Sequence, residues 1–248
     1  MNEQNWKSRT ELLLGTESVS VLNNAHVLIA GVGGVGGFAA EQLCRAGVGS
    51  LTLVDNDIVQ PTNLNRQIAA LNSTQGRLKV EVLGDRLRDI NPEINLNVLS
   101  DYLDADTIPQ ILKGKIDFIV DAIDTLTPKV LLLKYASGKG YSVVSSMGSG
   151  GKTDPSLITS DDISNSHHCR FAYMIRKYLH RYGIREGITV VYSPEQVVKK
   201  KVVEVTGLRN KRSVVGTISY MPAIFGCLCA AIVVRKLTGL ENITSPET

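Results

Sequence analysis

The stretch His26-Val-Leu-Ile-Ala30, followed at once by Gly31-Val-Gly-Gly-Val-Gly36 and then by Gly37-Phe38-Ala-Ala-Glu-Gln-Leu-Cys-Arg-Ala46, decides how this chain folds. A short apolar run ending in glycines reads as a buried strand, and Phe38–Ala46, closed by Gly47, reads as the helix after it. Gly31, Gly33, Gly34 and Gly36 therefore stand at a strand-to-helix turn. Without Cβ atoms the chain turns tightly there and brings backbone N–H groups against a phosphate, at a helix N-terminus whose dipole favours an anion. Leu51–Val54 is a second apolar strand, and it ends at Asp55, 19 residues beyond Gly36. An acidic residue at that strand end is placed to hold a ribose hydroxyl. Enzymes that use NAD, FAD, S-adenosylmethionine or ATP share this arrangement, so the glycines alone announce a nucleotide and not which one.

Outward from this unit the pattern repeats. Gln75–Ile90 has apolar Leu78, Val82, Leu83, Leu87 and Ile90 at three-to-four spacing and reads as a helix stopped by Asn91-Pro92. Leu96–Leu99 is a strand, Asp104–Leu112 a short helix, Phe118–Ala122 a strand, Pro128–Ser137 a helix and Ser142–Ser145 a strand. Strands alternating with helices predict an α/β fold: a Rossmann-like, mostly parallel sheet with helices on both faces. After Gly151 the pattern changes, with short strands at Leu157–Thr159, Thr189–Tyr192 and Val202–Val205 and a basic helix at Cys169–Tyr182. No linker separates the parts. One domain over residues 1–248 is expected, with a nucleotide-binding part (1–155) and a C-terminal mixed strand/helix extension (156–248) for substrate and dimer contacts.

The composition is that of an ordinary globular chain, 43% apolar and 21% charged, with a formal charge of +3 that does not by itself imply a nucleic-acid partner. The distribution is more telling. Arg170, Arg176, Lys177, Arg181 and Arg185 face only Glu186, a local balance of +4, and Lys199, Lys200, Lys201, Arg209, Lys211 and Arg212 face only Glu204, a balance of +5. Tyr173, Tyr178 and Tyr182 interleave the first run, where they can stack on unpaired bases or, like Ile175 and Leu179, turn to the core. Cys44, Cys169, Cys227 and Cys229 show no C-x-x-C spacing for zinc and no disulfide framework, and read as free thiols in a reducing cytosol. The N-terminal residues carry no apolar signal region, and a cytoplasmic location is expected. Residues 214–234 are uncharged and long enough to weigh as a membrane contact, but Pro222 favours a core helix that begins near it.

The segment after Asp55 narrows the nucleotide to ATP. Asp55-Asn-Asp57-Ile-Val-Gln-Pro-Thr-Asn63-Leu-Asn65-Arg66-Gln67 places two carboxylates, amides and a guanidinium beside the ribose-binding strand end. Forming an acyl adenylate needs cations that draw charge off a triphosphate and a metal that neutralises departing pyrophosphate. Arg66 and Lys79 supply the first, and Asp124, just beyond the Phe118–Ala122 strand, can hold Mg²⁺. Gly150-Gly151-Lys152-Thr153 imitates the end of a P-loop, but the first glycine such a loop requires is replaced by Ser146, and Asp154-Pro155 follows in place of a helix.

Gly31-x-Gly33-Gly34-x-Gly36, Leu53-Val54-Asp55-x-Asp57, Asn65-Arg66-Gln67, Gly76-x-x-Lys79, Ile90-Asn91-Pro92 and Asp121-Ala-Ile-Asp124 together resemble the superfamily of ThiF, MoeB and the ubiquitin-activating enzymes, over roughly residues 9–155. The resemblance implies that Asp55 binds the ribose, that Asp57 is a polar neighbour near the metal, that Asn65, Arg66 and Lys79 contact phosphate, and that Asp124 belongs to the Mg²⁺ site. Gln67 joins the nucleotide-binding set. It further implies a homodimer in which Arg9 reaches the ATP of the partner subunit. Members that activate the C-terminal Gly-Gly of a ubiquitin-like or sulfur-carrier protein carry two C-x-x-C pairs, and this chain has neither. Instead Ser146-Met-Gly148-Ser-Gly150-Gly151-Lys-Thr-Asp154-Pro155, the basic stretch to Tyr182 and Tyr220-Met-Pro222-Ala-Ile-Phe225-Gly226 resemble members that adenylate the threonyl carboxylate of a threonylcarbamoyl-modified adenosine in tRNA and close it into a ring. Activation of a carrier protein's C-terminal glycine is the alternative. Candidate tRNA contacts are Lys199, Lys200, Lys201, Arg176 and Arg181, and no particular sulfur-transfer protein is indicated as partner. Ring closure within the substrate needs no enzyme nucleophile, so Cys169 reads as a bystander, and His167 and His168 as loop residues.

Overall fold

The computed structural model describes residues 5–197, 202–204 and 213–240. Seven strands form one sheet: β1 (His26–Ala30), β2 (Ser50–Val54), β3 (Asn95–Leu99), β4 (Phe118–Asp121), β5 (Val143–Ser146), β6 (Thr159–Asp162) and β7 (Thr189–Tyr192). Their order is β3-β2-β1-β4-β5-β7-β6. All neighbours run parallel except β6, which is antiparallel to β7 at the edge. Two further strands, β8 (Val202–Glu204) and β9 (Ser213–Val215), pair with each other in antiparallel fashion.

Around the sheet stand α1 (Ser8–Asn24), α2 (Gly36–Ala46), α3 (Lys79–Ile90), α4 (Ile108–Ile111), α5 (Leu126–Lys139), α6 (Arg170–His180) and α7 (Tyr220–Leu237). One core lies between the sheet and α2, α3 and α7, built on Leu43, Leu83, Phe118, Phe225 and Val233. The other lies on the opposite face under α5 and α6, built on Leu28, Ile119, Leu132, Ile175 and Tyr192. A parallel strand buried on both faces needs an unbroken apolar run, which is why β1 and β4 read as apolar blocks without alternation.

The strand order reverses between β1 and β4. From β1 the chain moves outward through β2 and β3, and from β4 it moves the other way through β5. At such a switch point the loops leaving the two strand ends part and open a crevice. Register fixes what borders it, since Ala30 lies beside Val54 on one side and Asp121 on the other. The glycine loop, Asp55 and the Ala122–Asp124 loop thus leave the sheet side by side.

Helix α7 takes up most of the apolar 214–234 stretch. Met221, Phe225, Cys229 and Val233 form a stripe at i, i+4 spacing with no solvent exposure. A Cβ on Gly226 would lie 2.3 Å from Val35 O, so the close approach of α7 to α2 requires glycine there. The helix is long and apolar enough by length and composition to cross a membrane, with a mean hydropathy of 1.6. The core-helix reading accounts for that apolarity, with Pro222 in the first turn where its missing N–H costs nothing.

Several boundaries differ from the sequence pattern. The helix expected from Gln75 starts at Lys79, because Gly76 has φ +83° and Leu78 bridges to Ile58 in extended conformation. The helix expected over Asp104–Leu112 is reduced to Ile108–Ile111, since the Asp104 carboxylate accepts from the N–H groups of Asp106 and Thr107 and holds a turn. The strand expected at Leu157–Thr159 begins only at Thr159, after a 3₁₀ turn that opens with Pro155. Helix α1 is one the apolar periodicity does not announce: Leu12 and Leu13 are 69% and 82% exposed, Leu22 alone is fully buried, and Gly15 kinks it at φ +82°.

Candidate active site

The glycine loop has the geometry that the spacing implies. Gly31 adopts φ +84°, and a Cβ there would press 3.0 Å from Ala122 O across the crevice. A Cβ on Gly36 would fall 1.8 Å from Gly31 O, so no side chain allows the turn to close. The Asp55 carboxylate braces this loop: Oδ2 accepts from Val32 N at 2.8 Å and Oδ1 from Asp57 N at 2.9 Å. Burial pushes the Asp55 carboxyl above the usual carboxylate range, while the Lys79 charge and these two N–H donors pull the other way.

Gln67 borders the same cradle, its amide nitrogen 3.6 Å from where a Gly33 Cβ would sit. Its Oε1 is the single buried side-chain oxygen or nitrogen without a hydrogen-bond partner among the described residues. Leaving such an acceptor unpaired costs about 1–3 kcal/mol, and a hydroxyl or amino group of a bound nucleotide would satisfy it.

The cations are held, not loose. Lys79 is buried at the start of α3, with Nζ 2.7 Å from the Asp57 carboxylate. Arg66 donates from Nη1 to Thr62 O and to Asn65 Oδ1, both at 2.8 Å. Asn65 in turn donates to Thr217 O at 2.9 Å, so the segment entering α7 positions the arginine. Asp57 is therefore a partner of Lys79 in this structure, and Asn65 a support of Arg66.

Asp124 is exposed three residues beyond β4, at the crevice. Behind it lies a network that sequence reasoning missed. Lys129 and Asp121 are both completely buried, with Nζ 2.7 Å from Oδ2. Ser145 Oγ donates to the same carboxylate oxygen at 2.6 Å, and Lys129 also donates to Ile123 O at 3.0 Å. The ion pair thus anchors the loop that carries Asp124. The available signal was a charge inside each of two apolar runs, Phe118-Ile-Val-Asp121 and Lys129-Val-Leu-Leu-Leu133.

Further along the same edge, Lys152 is buried and its ammonium donates to Ser193 O, with the Cys169 thiol within hydrogen-bonding reach. This burial holds its pKa below the usual lysine range, and it ends the resemblance of Gly150–Thr153 to a P-loop. Gly151 N donates to Gly216 O and Tyr220 Oη to Thr153 O, so the chain before α7 is stitched to the loop after β5.

The proposed tRNA contacts fare unevenly. Arg176 is half-buried. Its guanidinium donates to Ile163 O at 3.1 Å and to Ser166 O and Oγ, because the helical period of α6 aims it at the preceding loop, one turn beyond the buried Ala172. Arg181 is exposed at the end of α6, stacked on Tyr178 at 4.7 Å, and Tyr173 and Tyr182 are about half exposed. Lys199, Lys200 and Lys201 lie outside the described residues. Arg9 is exposed in the first turn of α1 and far in sequence from every residue of the crevice.

A glycine cradle at the switch point of a parallel sheet, a ribose-height carboxylate, two positioned cations and a carboxylate beyond the next strand define a nucleotide-binding α/β protein equipped for phosphate chemistry. Comparison with known proteins makes this specific. The ThiF family model matches residues 8–248, and the chain belongs to that family. It is 37% identical over 237 residues to the tRNA threonylcarbamoyladenosine dehydratase of Bacillus subtilis, covering 93% of each chain. The solved structure of the Escherichia coli tRNA N6-threonylcarbamoyladenosine dehydratase TcdA in complex with ATP superposes with a TM-score of 0.87 at 30% identity, over 97% of this chain and 98% of that one. The adenylyltransferase and sulfurtransferase UBA4 of Saccharomyces cerevisiae is 33% identical over 148 residues, 60% of this chain and 33% of its own length.

Proposed function

We propose that this chain uses ATP to adenylate the threonyl carboxylate of threonylcarbamoyladenosine in tRNA, and then closes the activated group into a ring with release of AMP and pyrophosphate. The observation that carries the choice of substrate is the extent of the likeness. Similarity to the dehydratase runs through nearly the whole of both chains, whereas similarity to the sulfurtransferase covers only 60% of this one.

The crevice suits the first step. Gly31–Gly36 cradle phosphate, Asp55 accepts from ribose hydroxyls, and Gln67 offers its unpaired oxygen to the nucleotide. The substrate carboxylate attacks the α-phosphorus, and negative charge grows on the departing pyrophosphate, where Arg66 and Lys79 draw it off. Electrostatic stabilisation of that kind is set in place before the reaction and needs no reorganisation when charge develops. A single exposed carboxylate, Asp124, suits Mg²⁺, which binds through one or two carboxylates plus the phosphates of its nucleotide. When bound, the ion would neutralise pyrophosphate charge. Among the described residues no cluster of three or more His, Cys, Asp or Glu side chains competes for a metal.

Two further elements belong to this reading. The exposed Leu12 and Leu13 on α1, beside exposed Arg9, suit a homodimer in which Arg9 completes the partner's nucleotide site. Exposed Tyr173 on α6 and Arg181 and Tyr182 just beyond its end, with the lysine run at 199–201, suit the phosphates and unpaired bases of a tRNA loop.

The test supplies ATP and threonylcarbamoyladenosine-bearing tRNA and reads the nucleosides by mass spectrometry. Loss of one water from the modified nucleoside, with one AMP formed per event, is the expected result. Turnover on a Gly-Gly-tailed carrier protein with none on tRNA would overturn it in favour of the carrier-activating alternative.

A further inference from the structure

Ring closure makes a demand that adenylation does not. The ureido group carries N–H protons, and whichever of its atoms attacks the acyl carbon, one such proton must leave. The new bond forms to that carbon, the carbon–oxygen bond to AMP breaks with its electron pair going to the AMP phosphate, and the N–H proton passes to a base. In the nucleotide crevice the Asp55 carboxylate is engaged with loop N–H groups and that of Asp57 with Lys79, and Asp124 is read as the metal ligand.

The loop Ser166–Cys169, leading into α6, holds a candidate. His167 Nδ1 lies 3.2 Å from Asn165 O and 3.1 Å from Tyr192 Oη. A carbonyl oxygen only accepts, whereas a phenol donates or accepts, so it is the tautomer with the proton on Nδ1 that donates to Asn165 O and leaves the lone pair on Nε2. That tautomer is the one a general base requires, its far nitrogen engaged in a hydrogen bond. Two edge-on contacts hold the ring plane: His168 at 5.2 Å between centroids and Tyr192 at 5.5 Å. His168 is the single non-glycine residue with positive φ (+53°) among the described residues. Such a conformation costs of order 1–3 kcal/mol and persists where its surroundings over-determine it, most often at functional sites. The imidazole of His167 itself is exposed.

Its location fits the task. Tyr192 ends β7, which runs parallel to β5, as β5 does to β4. The end of β7 therefore stands at the same sheet edge as the end of β4, two strand spacings or about 10 Å along, and the His167 ring meets the phenol of the tyrosine that ends it. The Tyr192 phenol is kept protonated by burial, reinforced by Asp161 on β6 and by Cys169. The groups against His167 are thus Tyr192 from β7 and Asn165 and His168 from its own loop, with Asp161 and Cys169 acting on Tyr192, while Arg176 of α6 ties the loop down through Ser166.

We propose that His167 is the general base of ring closure, taking the ureido proton on Nε2 as AMP leaves, with Tyr192 and Asn165 as positioning residues. This rests on the dehydratase reading above, and the two separate experimentally. ATP–pyrophosphate exchange on threonylcarbamoyladenosine-bearing tRNA reports adenylation, and single-turnover nucleoside mass spectrometry reports the ring. His167→Gln is expected to keep the exchange near the unsubstituted rate, which also shows that it folds, and to lose on the order of 10²–10⁴-fold in ring closure, the usual worth of a positioned base. Added imidazole should restore ring closure in His167→Gly, which a purely structural role would not allow, and Tyr192→Phe should slow closure while sparing exchange. Ring closure in His167→Gln within tenfold of the unsubstituted enzyme, with exchange intact, would overturn the base. Absence of exchange on this tRNA with the unsubstituted enzyme would overturn the dehydratase reading first, and the base with it.

Discussion

Replacing Lys129 with methionine removes one half of a completely buried ion pair while keeping the length and apolar stem of the side chain. In the native protein its ammonium meets Asp121 Oδ2 at 2.7 Å and Ile123 O at 3.0 Å. In the variant the Asp121 carboxylate keeps the Ser145 hydroxyl on Oδ2 and the Ile123 N–H at 3.2 Å on Oδ1, and loses its ion-pair partner. Removing one partner of a buried pair costs about 3–5 kcal/mol, because the survivor is left charged in a medium that solvates it poorly. For a chain of this size, 1 kcal/mol moves Tm by about 2–4 °C, so the midpoint should fall by roughly 6–20 °C. Lys129→Met combined with Asp121→Leu should recover much of that loss, since the penalty comes from the unpaired charge and not from lost volume. Urea and thermal unfolding of the two variants beside the parent measure both effects. A single variant within about 1 kcal/mol of the parent, the range of exposed pairs, would refute the reasoning.

Other outcomes follow from the crevice. Arg66→Ala and Asp124→Ala should each lower the rate of adenylation by on the order of a hundredfold or more, about 2.7–4 kcal/mol, while ATP affinity changes far less, because both act on charge that develops as pyrophosphate leaves. Pyrophosphate exchange against equilibrium ATP binding checks this, and near-native exchange in either variant removes that residue from its role. Mixing Arg9→Ala subunits with Asp124→Ala subunits should regenerate one working site per mixed dimer, and no recovery of exchange on mixing would remove the trans arrangement. Burial raises the Asp55 carboxyl, so between the ordinary aspartate value and the raised one the folded protein holds a proton that an exposed carboxylate has lost. ATP affinity should therefore weaken as pH falls through the raised value, and Asp55→Asn should flatten that dependence in a titration series.

The sheet and its nucleotide edge were legible because local chemistry and global position agree there. Buried parallel strands demand continuous apolar runs, and a turn that places a would-be Gly36 Cβ 1.8 Å from Gly31 O admits no residue but glycine, so each feature appears in the letters. Helix α1 did not appear, since its Leu12 and Leu13 are largely exposed and only Leu14 and Leu22 reach the core, too few to mark a helical stripe. The premature start given to α3 has the opposite cause. Leu78 continues the apolar spacing of Val82 and Leu83, but its packing is achieved from a bridge with Ile58, and periodicity cannot tell a helical contact from an extended one.

Site residues divide along a related line. Those whose role is to meet a ligand through the backbone or a strand end, such as Gly31 and Asp55, are fixed by spacing within one supersecondary unit. Those whose role depends on a distant segment are not. Arg66 is held through Asn65 by Thr217, 152 residues away from that asparagine, and the placement of the His167 ring depends on Tyr192 across the loop and helix between β6 and β7. Arg176 shows the converse hazard: within a basic run it counts as one more charge for a nucleic acid, yet its three hydrogen bonds to Ile163 and Ser166 make it part of the scaffold that presents His167. The charge of that run available to an external polyanion is accordingly smaller than the sequence total, and the same arginine becomes a determinant of how the loop before α6 is held.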